Sequence, residues 1–288
     1  MKARTSLFSW LAIAVSIPLT LSSQTTQTAQ TGQPQVEQSL INPVSSTLAG
    51  TFIPATTVQT DPNDPSTVTT VPAACQFSMS LAPNEQAKEA RRTSDISVDA
   101  ANKTCSAQFD IGEPPVETTP TGAEAANLAN TSTASSSDVP VDTTTGATPD
   151  ATLASITSAG FLKTWWIDPI NITVNSVQDS TKWRWSGTGH CVTGLLGGQA
   201  LTWFTPSGWL KLSNTFQNTF NCTQTTVAST ALFDNPIFCA LNSTFAAYNN
   251  RVNGKQNGAL VGTWNDSVFG SVCVNLLRFR VQLKRTLN

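Results

Sequence analysis

The sequence predicts a mainly β fold, an antiparallel β-sandwich or barrel over residues 159–288. It is stapled by disulfides and preceded by disordered Ser/Thr-rich segments and a small Cys-bracketed unit. Three observations lead there. After Gly160 apolar residues recur with a period of two: Ile170, Ile172 and Val174 alternate with polar positions, Trp183 and Trp185 flank Arg184, and Leu277, Phe279, Val281 and Leu283 alternate with Arg278, Arg280, Gln282 and Lys284. Turn signals interrupt these runs at Ser186-Gly187, Gly197-Gly198, Pro206-Ser-Gly208, Asn235-Pro236, Asn253-Gly254, Asn257-Gly258 and Gly270. Composition shifts at the same place, because seven of the eight Trp, four of the six Cys and the single His190 all follow it. Roughly eight to ten short strands are expected there, in one domain.

From the N-terminus, Lys2 and Arg4 precede a mostly apolar run, Leu7 to Leu21, and the small residues Ser22 and Ser23. That is the pattern of a signal peptide, 1–23, with cleavage near Thr20-Leu21-Ser22; an uncleaved anchor is the alternative. No later segment holds the roughly 18 unbroken apolar residues of a transmembrane helix, so no membrane span is expected after cleavage. The expected location is secreted or cell-surface associated. Residues 24–72 are Thr/Gln/Ser-rich with scattered Pro and are expected to be disordered or extended. Residues 73–113 differ. The run Glu85-Gln-Ala-Lys-Glu-Ala-Arg-Arg92 is made of helix formers, while Ile96 and Val98, and then Ala107, Phe109 and Ile111, alternate. They predict a small helix-and-strand unit. Residues 114–158 return to Ser, Thr, Ala and Pro, as a linker.

Six Cys is an even number in a chain read as exported, so disulfides are expected. Cys75 and Cys105 bracket the small unit. Cys191, Cys222, Cys239 and Cys273 allow three pairings, of which Cys191–Cys222 and Cys239–Cys273 tie neighbouring segments. Loops of this size are each worth about 3–4 kcal/mol in the chain-entropy model. Zinc is disfavoured, since no C-x-x-C occurs and His190 stands alone. No metal and no cofactor is expected. Thr193-Gly-Leu-Leu-Gly-Gly198 lacks the Lys-Ser/Thr of a phosphate loop and reads as a turn between strands.

Charge divides with composition. Residues 24–160 hold four basic and fourteen acidic side chains, whereas 161–288 hold ten basic and four acidic, with no Glu. The two parts have opposite sign, which suits solubility, mutual contact or separate partners. The six N-x-S/T sequons, at Asn102, Asn130, Asn171, Asn221, Asn242 and Asn265, are about as many as so Thr- and Ser-rich a chain holds by chance.

Catalytic groups are scarce after Gly160. A nucleophilic triad would have to use His190, and an acid pair would have to come from Asp168, Asp179, Asp234 and Asp266, each in a turn-like context. Tryptophan is plentiful, and an outward Trp on a sheet can stack on a sugar ring. The candidate contact residues are therefore Trp165, Trp166, Trp183, Trp185, Trp203 and Trp209, with Arg278 and Arg280 for anionic groups; the competing account places these Trp in the core and the charges on a solvated face. Nucleic acid is disfavoured by export.

Arg92-Thr-Ser-Asp-Ile-Ser-Val-Asp99 and Thr104-Cys105, then Trp165-Trp166-Ile-Asp168-Pro169, Val174-Asn175-Ser176 and Leu283-Lys-Arg-Thr286, follow one another in an order that resembles a group of uncharacterised secreted bacterial proteins, over about 70–288. The resemblance implies export and two disulfide-bearing units, and carries no functional residue across. The expectation is an exported, non-enzymatic protein whose β domain acts in recognition or adhesion toward a glycan or cell-wall polymer. The alternatives are a secreted hydrolase on a β-sandwich and a structural surface protein without a ligand.

Overall fold

The computed structural model describes residues 27–29, 38–61, 64–115, 156–185, 191–239 and 242–286. The expected signal peptide, the body of the expected linker and His190 lie outside them. Among the described residues seventeen strands run in chain order. The first eight are β1 (Gln27–Ala29), β2 (Ile41–Ile53), β3 (Thr56–Asp61), β4 (Asp64–Val71), β5 (Ala74–Leu81), β6 (Ala87–Arg92), β7 (Ser97–Asp99) and β8 (Thr104–Glu113). After residue 155 come β9 (Ile156–Ile167), β10 (Thr173–Trp185), β11 (Gly194–Trp203), β12 (Leu210–Phe220), β13 (Thr225–Cys239), β14 (Asn242–Gly254), β15 (Leu260–Trp264), β16 (Ser267–Phe269) and β17 (Arg278–Thr286). No helix among the described residues is long and apolar enough to cross a membrane.

Fifteen strands form one sheet, in the order β1-β11-β10-β9-β17-β6-β8-β2-β5-β15-β14-β13-β12, with β7 beside β8 and β16 beside β14. Every pairing is antiparallel except β1 on β11. The sheet curls until β9 and β10 lie face to face with β13, β14 and β15, giving a nearly closed barrel flattened into a sandwich. The hairpin β3–β4 forms a second, two-stranded sheet.

The period-two patterns hold in β5, β8 and β17, whereas Ile170 and Ile172 fall in the turn before β10, with Ile170 65 % exposed, and Val98 of β7 faces solvent. Phe279, Val281 and Leu283 of β17 are buried, as are Phe77, Met79 and Leu81 of β5 and Cys105, Ala107 and Phe109 of β8. Trp264 sits among Phe77 and Phe109 at centroid distances of 6.1 and 6.2 Å, so aromatics from both sides of the linker share one core. All three expected disulfides form: Cys75–Cys105, Cys191–Cys222 and Cys239–Cys273.

Four local expectations change. Glu85–Arg92 is no helix: after a turn closed by the Glu85 amide donating to the Ala82 carbonyl at 3.0 Å, β6 fills the gap between β17 and β8. Ala90 is fully buried there and Glu89 faces Arg280, so tertiary pairing overrides helix propensity. Within 24–72, β2 inserts between β8 and β5 and β3–β4 folds as a hairpin; β-branched Thr suits extended backbone once a neighbour supplies the ladder. The strands of 73–113 are therefore part of the same sheet as the C-terminal strands. Finally, Gly197-Gly198 lies within β11, not in a turn, and Asn235-Pro236 lies within β13 at a register shift. At Gly197 a Cβ would come within 2.9 Å of Asn218 and Val227, so glycine here permits close approach of the facing layer.

Gly254 gives a test of this packing. A Cβ there would lie 2.3 Å from the ring of Trp183, whose indole nitrogen donates to the Lys255 carbonyl at 3.1 Å. Gly254→Ala is expected to cost about 1–3 kcal/mol by forcing the indole aside. Denaturant unfolding followed by Trp fluorescence measures it, and an unchanged midpoint would contradict this packing.

Candidate functional site

The predicted contact residues scatter. Trp166, Trp183 and Trp209 are at most 1 % exposed and belong to the core. Trp166 is covered by the Arg92 guanidinium at 5.1 Å and by Phe279 at 5.0 Å, and Trp209 by Phe238 at 6.2 Å. They cannot offer a ring face to a sugar: Trp166 and Trp183 sit at inward positions of β9 and β10, and Trp209, in the loop just before β12, is buried against Phe238. Trp165, Trp185 and Trp203 are half-buried. Lys163 Nζ lies 5.5 Å from the Trp165 ring, Trp185 donates to Ser158 Oγ at 2.9 Å, and Trp203 packs on Phe233 with Lys211 Nζ at 6.0 Å. The three do not share one platform: Trp165 and Trp185 lie on β9 and β10, Trp203 at the end of β11.

The basic stripe is also taken up internally. Arg278 donates to the Asp168 carbonyl at 2.9 Å and to Asn171 Oδ1. Arg280 is buried with its guanidinium 3.6 Å from Glu89, a residue that also accepts from Arg91 at 2.9 Å. Arg285 donates to the carbonyls of Glu85, Ala82 and Gly258.

The four aspartates do not converge on a cleft. Asp168 caps its own turn, accepting from the Ile170 and Ile172 amides at 3.0 and 2.8 Å. Asp179 and Asp266 lie inside the sandwich. Asp179 accepts from Ser229 Oγ at 2.8 Å across the β10–β13 interface. Asp266 accepts from the Asn249 amide at 3.1 Å, and beside it Asn250 Nδ2 donates to Thr164 Oγ1 at 2.7 Å. Tyr248 donates to the Asn175 carbonyl at 3.1 Å and to its side-chain oxygen. Burial pushes Asp266 up to about 7 against hydrogen bonds from Thr164 and the Asn249 amide and the charge of Arg92. Burial drives Asp179 well above the carboxylate range despite Ser229, and Tyr248 well above the usual phenol range. Sequence reasoning missed this polar interior, because a polar residue at an inward position looks like any other polar residue until the strand's face is known.

Among the described residues, no three His, Cys, Asp or Glu side chains gather as a metal site. The concavity bounded by Ile41, Glu85, Lys88, Glu113 and Lys284, about 770 Å³, is open and lined by both signs of charge.

The distinctive surface is where the sheet fails to close. On β11, Leu195, Gly197, Gln199 and Leu201 stand opposite Trp183, Thr181, Asp179 and Val177 of β10, all buried, so they point inward. On β12, Asn214, Phe216, Asn218 and Phe220 stand opposite Ala231, Ser229, Val227 and Thr225 of β13, again all buried. Phe216 and Phe220 thus belong to the inner face, yet are 37 % and 50 % exposed. No backbone ladder joins β11 to β12. A glutamine bridges them instead: Gln199 Nε2 donates to the Thr215 carbonyl at 3.3 Å and Gln199 Oε1 accepts from Asn214 at 3.2 Å. Leu196 and Leu210, 55 % and 50 % exposed, lie on the same two strands. At one end of the outer edge of β11, β1 is already seated as a parallel strand, Gln27 to Ala29 opposite Leu201 to Trp203. The signal for this seam in the sequence is the Asn-x-Phe-x-Asn-x-Phe alternation of 214–220, a strand face half polar and half aromatic.

Fold and site together define a class: a disulfide-stapled, nearly closed antiparallel β protein with a partly apolar seam, bridged by Gln199 and without a backbone ladder, between two strand edges. No family model, curated protein or solved structure matches the chain.

Proposed function

We propose that this chain is an exported recognition module that takes up an extended polypeptide at the β11–β12 seam by strand addition. The observation that carries it is the exposure of two inner-face aromatics, Phe216 and Phe220, beside two strands that have no ladder between them. An added strand gains affinity from main-chain hydrogen bonds to an open edge and specificity from side-chain pockets at alternate positions. Left uncovered, such an edge is an aggregation hazard, so its retention calls for an occupant. Three disulfides and the N-terminal signal pattern support an extracellular place of work.

Retention of the full chain on purified cell envelope tests this. Changing Phe216 and Phe220 together to Ser is expected to weaken retention tenfold or more, with the thermal midpoint nearly unchanged because both side chains are exposed. Protease treatment of the envelope is expected to abolish retention. If Trp165→Ala weakens retention while the double Ser variant does not, and protease treatment has no effect, the partner is a glycan bound at Trp165 and strand addition is overturned.

A further inference from the structure

We infer that the polypeptide taken up at the seam is acidic, with carboxylates at every second residue and apolar side chains between them; this rests on the strand-addition function proposed above. The start of β11 and the end of β12 are clamped together. Cys191, just before β11, is bonded to Cys222, just after β12, and the Val192 amide donates to the Cys222 carbonyl at 2.8 Å. A Cβ at Gly197 would lie 2.9 Å from Asn218, so Phe216 and Phe220, the exposed inner-face aromatics, belong to this clamped end. At the other end β1 covers Leu201 to Trp203 of β11. The edge of β11 from Gly194 to Ala200 is the stretch without a ladder partner among the described residues.

The outer face around this end carries cations without carboxylate neighbours. On β10 Thr181 and Trp183 are buried, so Lys182 and Arg184 point outward, and both are exposed. Their cross-strand neighbours are Ala159 and Thr157 on β9 and Leu196 and Gly194 on β11. Beyond β12, Arg251 of β14 is exposed between Ala228 of β13 and Thr263 of β15, in the row that reaches Gln217 of β12. The aspartates after Gly160 lie elsewhere: Asp168 caps its own turn, Asp179 and Asp266 are inside, and Asp234 stands opposite Leu210 at the far end of β12. A strand laid on the open edge of β11 would run two ladder spacings from β10, about 10 Å. The stem of a Lys or Arg and the side chain of a Glu together span that gap. Lys182 and Arg184 are alternate residues, about 7 Å apart along the strand, which is also the interval between alternate residues of the added strand. Outward carboxylates on that strand therefore meet both cations, while the side chains between them point inward toward Phe216 and Phe220. Carboxylates at consecutive residues would put half of them against those aromatics, where desolvation opposes charge. Uncompensated positive charge also draws in acidic segments and turns away basic ones.

Binding of labelled synthetic peptides to the full chain, followed by fluorescence anisotropy at low salt, decides it. A peptide of alternating Glu and Val is expected to bind about tenfold more tightly than one of alternating Lys and Val, and than one of the same composition with its Glu and Val in separate blocks. Lys182→Glu together with Arg184→Glu is expected to reverse the preference toward the Lys-Val peptide, a result that misfolding does not produce, with the thermal midpoint nearly unchanged because both side chains are exposed. If the alternating Glu-Val and Lys-Val peptides bind equally, the charge reversal alters neither, and both are lost on changing Phe216 and Phe220 to Ser, the acidic partner is overturned while strand addition at the seam stands. If the block peptide binds as tightly as the alternating Glu-Val peptide, the face merely gathers negative charge and the alternating motif is overturned. If neither alternating peptide binds, strand addition falls and the acidic partner falls with it.

Discussion

A chain cut to residues 156–288 is expected not to fold. Composition marks that segment as a domain, but its strands are not self-sufficient. Removing 38–115 strips β6 from β17 and β5 from β15 and opens both edges. It also removes Phe77, Leu81, Ala90 and Phe109, which are buried against Trp264, Leu260 and Leu283. Each large apolar side chain returned to water forfeits about 1.5–3 kcal/mol, and several together exceed the roughly 5–15 kcal/mol that separates a folded domain from its unfolded chain. The fragment is expected to lack a cooperative thermal transition and the near-ultraviolet signal of packed Trp. Adding residues 38–115 in trans is expected to restore both, because the two pieces meet through ladders and core rather than through the linker. For the same reason, a chain with its backbone broken between residues 116 and 155 should keep the transition. A cooperative transition in 156–288 alone, with the Trp signature of the full chain, would refute the single-sheet account.

The second large effect is a pH dependence of unusual sign. Asp266 has a pKa of about 7 in the folded chain against 3.8 for the free side chain, because burial penalises its charge. Between those values the folded state holds a proton that the unfolded state has released. The stability from this group is complete below about pH 4 and is lost as pH rises through 7, about 4 kcal/mol in all. Asp179 is shifted in the same direction by the same cause. Asp64, Glu85 and Asp99 are shifted the opposite way by hydrogen bonds, but they are exposed and titrate below the window that matters. Lowering the pH from 8 to 5 is therefore expected to raise the thermal midpoint by about 10 °C. Asp266→Asn keeps an oxygen for the Asn249 amide and should lessen the rise, leaving the part that Asp179 supplies. A midpoint that falls on acidification, identically in both proteins, would contradict the buried, neutral carboxyl.

The buried carboxyl groups reach the seam. Asp179 faces Gln199 in the β10–β11 register, and Gln199 is the residue that bridges β11 to β12. The polar interior and the open edge are thus neighbours, which no linear feature of the chain announces.

What the sequence determined by itself is the part that local periodicity and covalent chemistry dictate. The alternation in 277–283 and at Trp183 and Trp185, the turn residues and the even set of cysteines sufficed for a β fold and for all three disulfides, because side-chain period and loop closure are properties of neighbouring residues. Tertiary structure decided which edge each strand meets and which face meets water. Ala87–Arg92 became a strand because β17 and β8 left a gap of one strand's width, and Trp166, Trp183 and Trp209 became core because their faces meet the opposite layer. Phe216 and Phe220, inward by register, stayed open because no ladder joins β11 to β12. Those outcomes depend on contacts between residues far apart in the chain, and a period of two carries no information about which partner a strand will find.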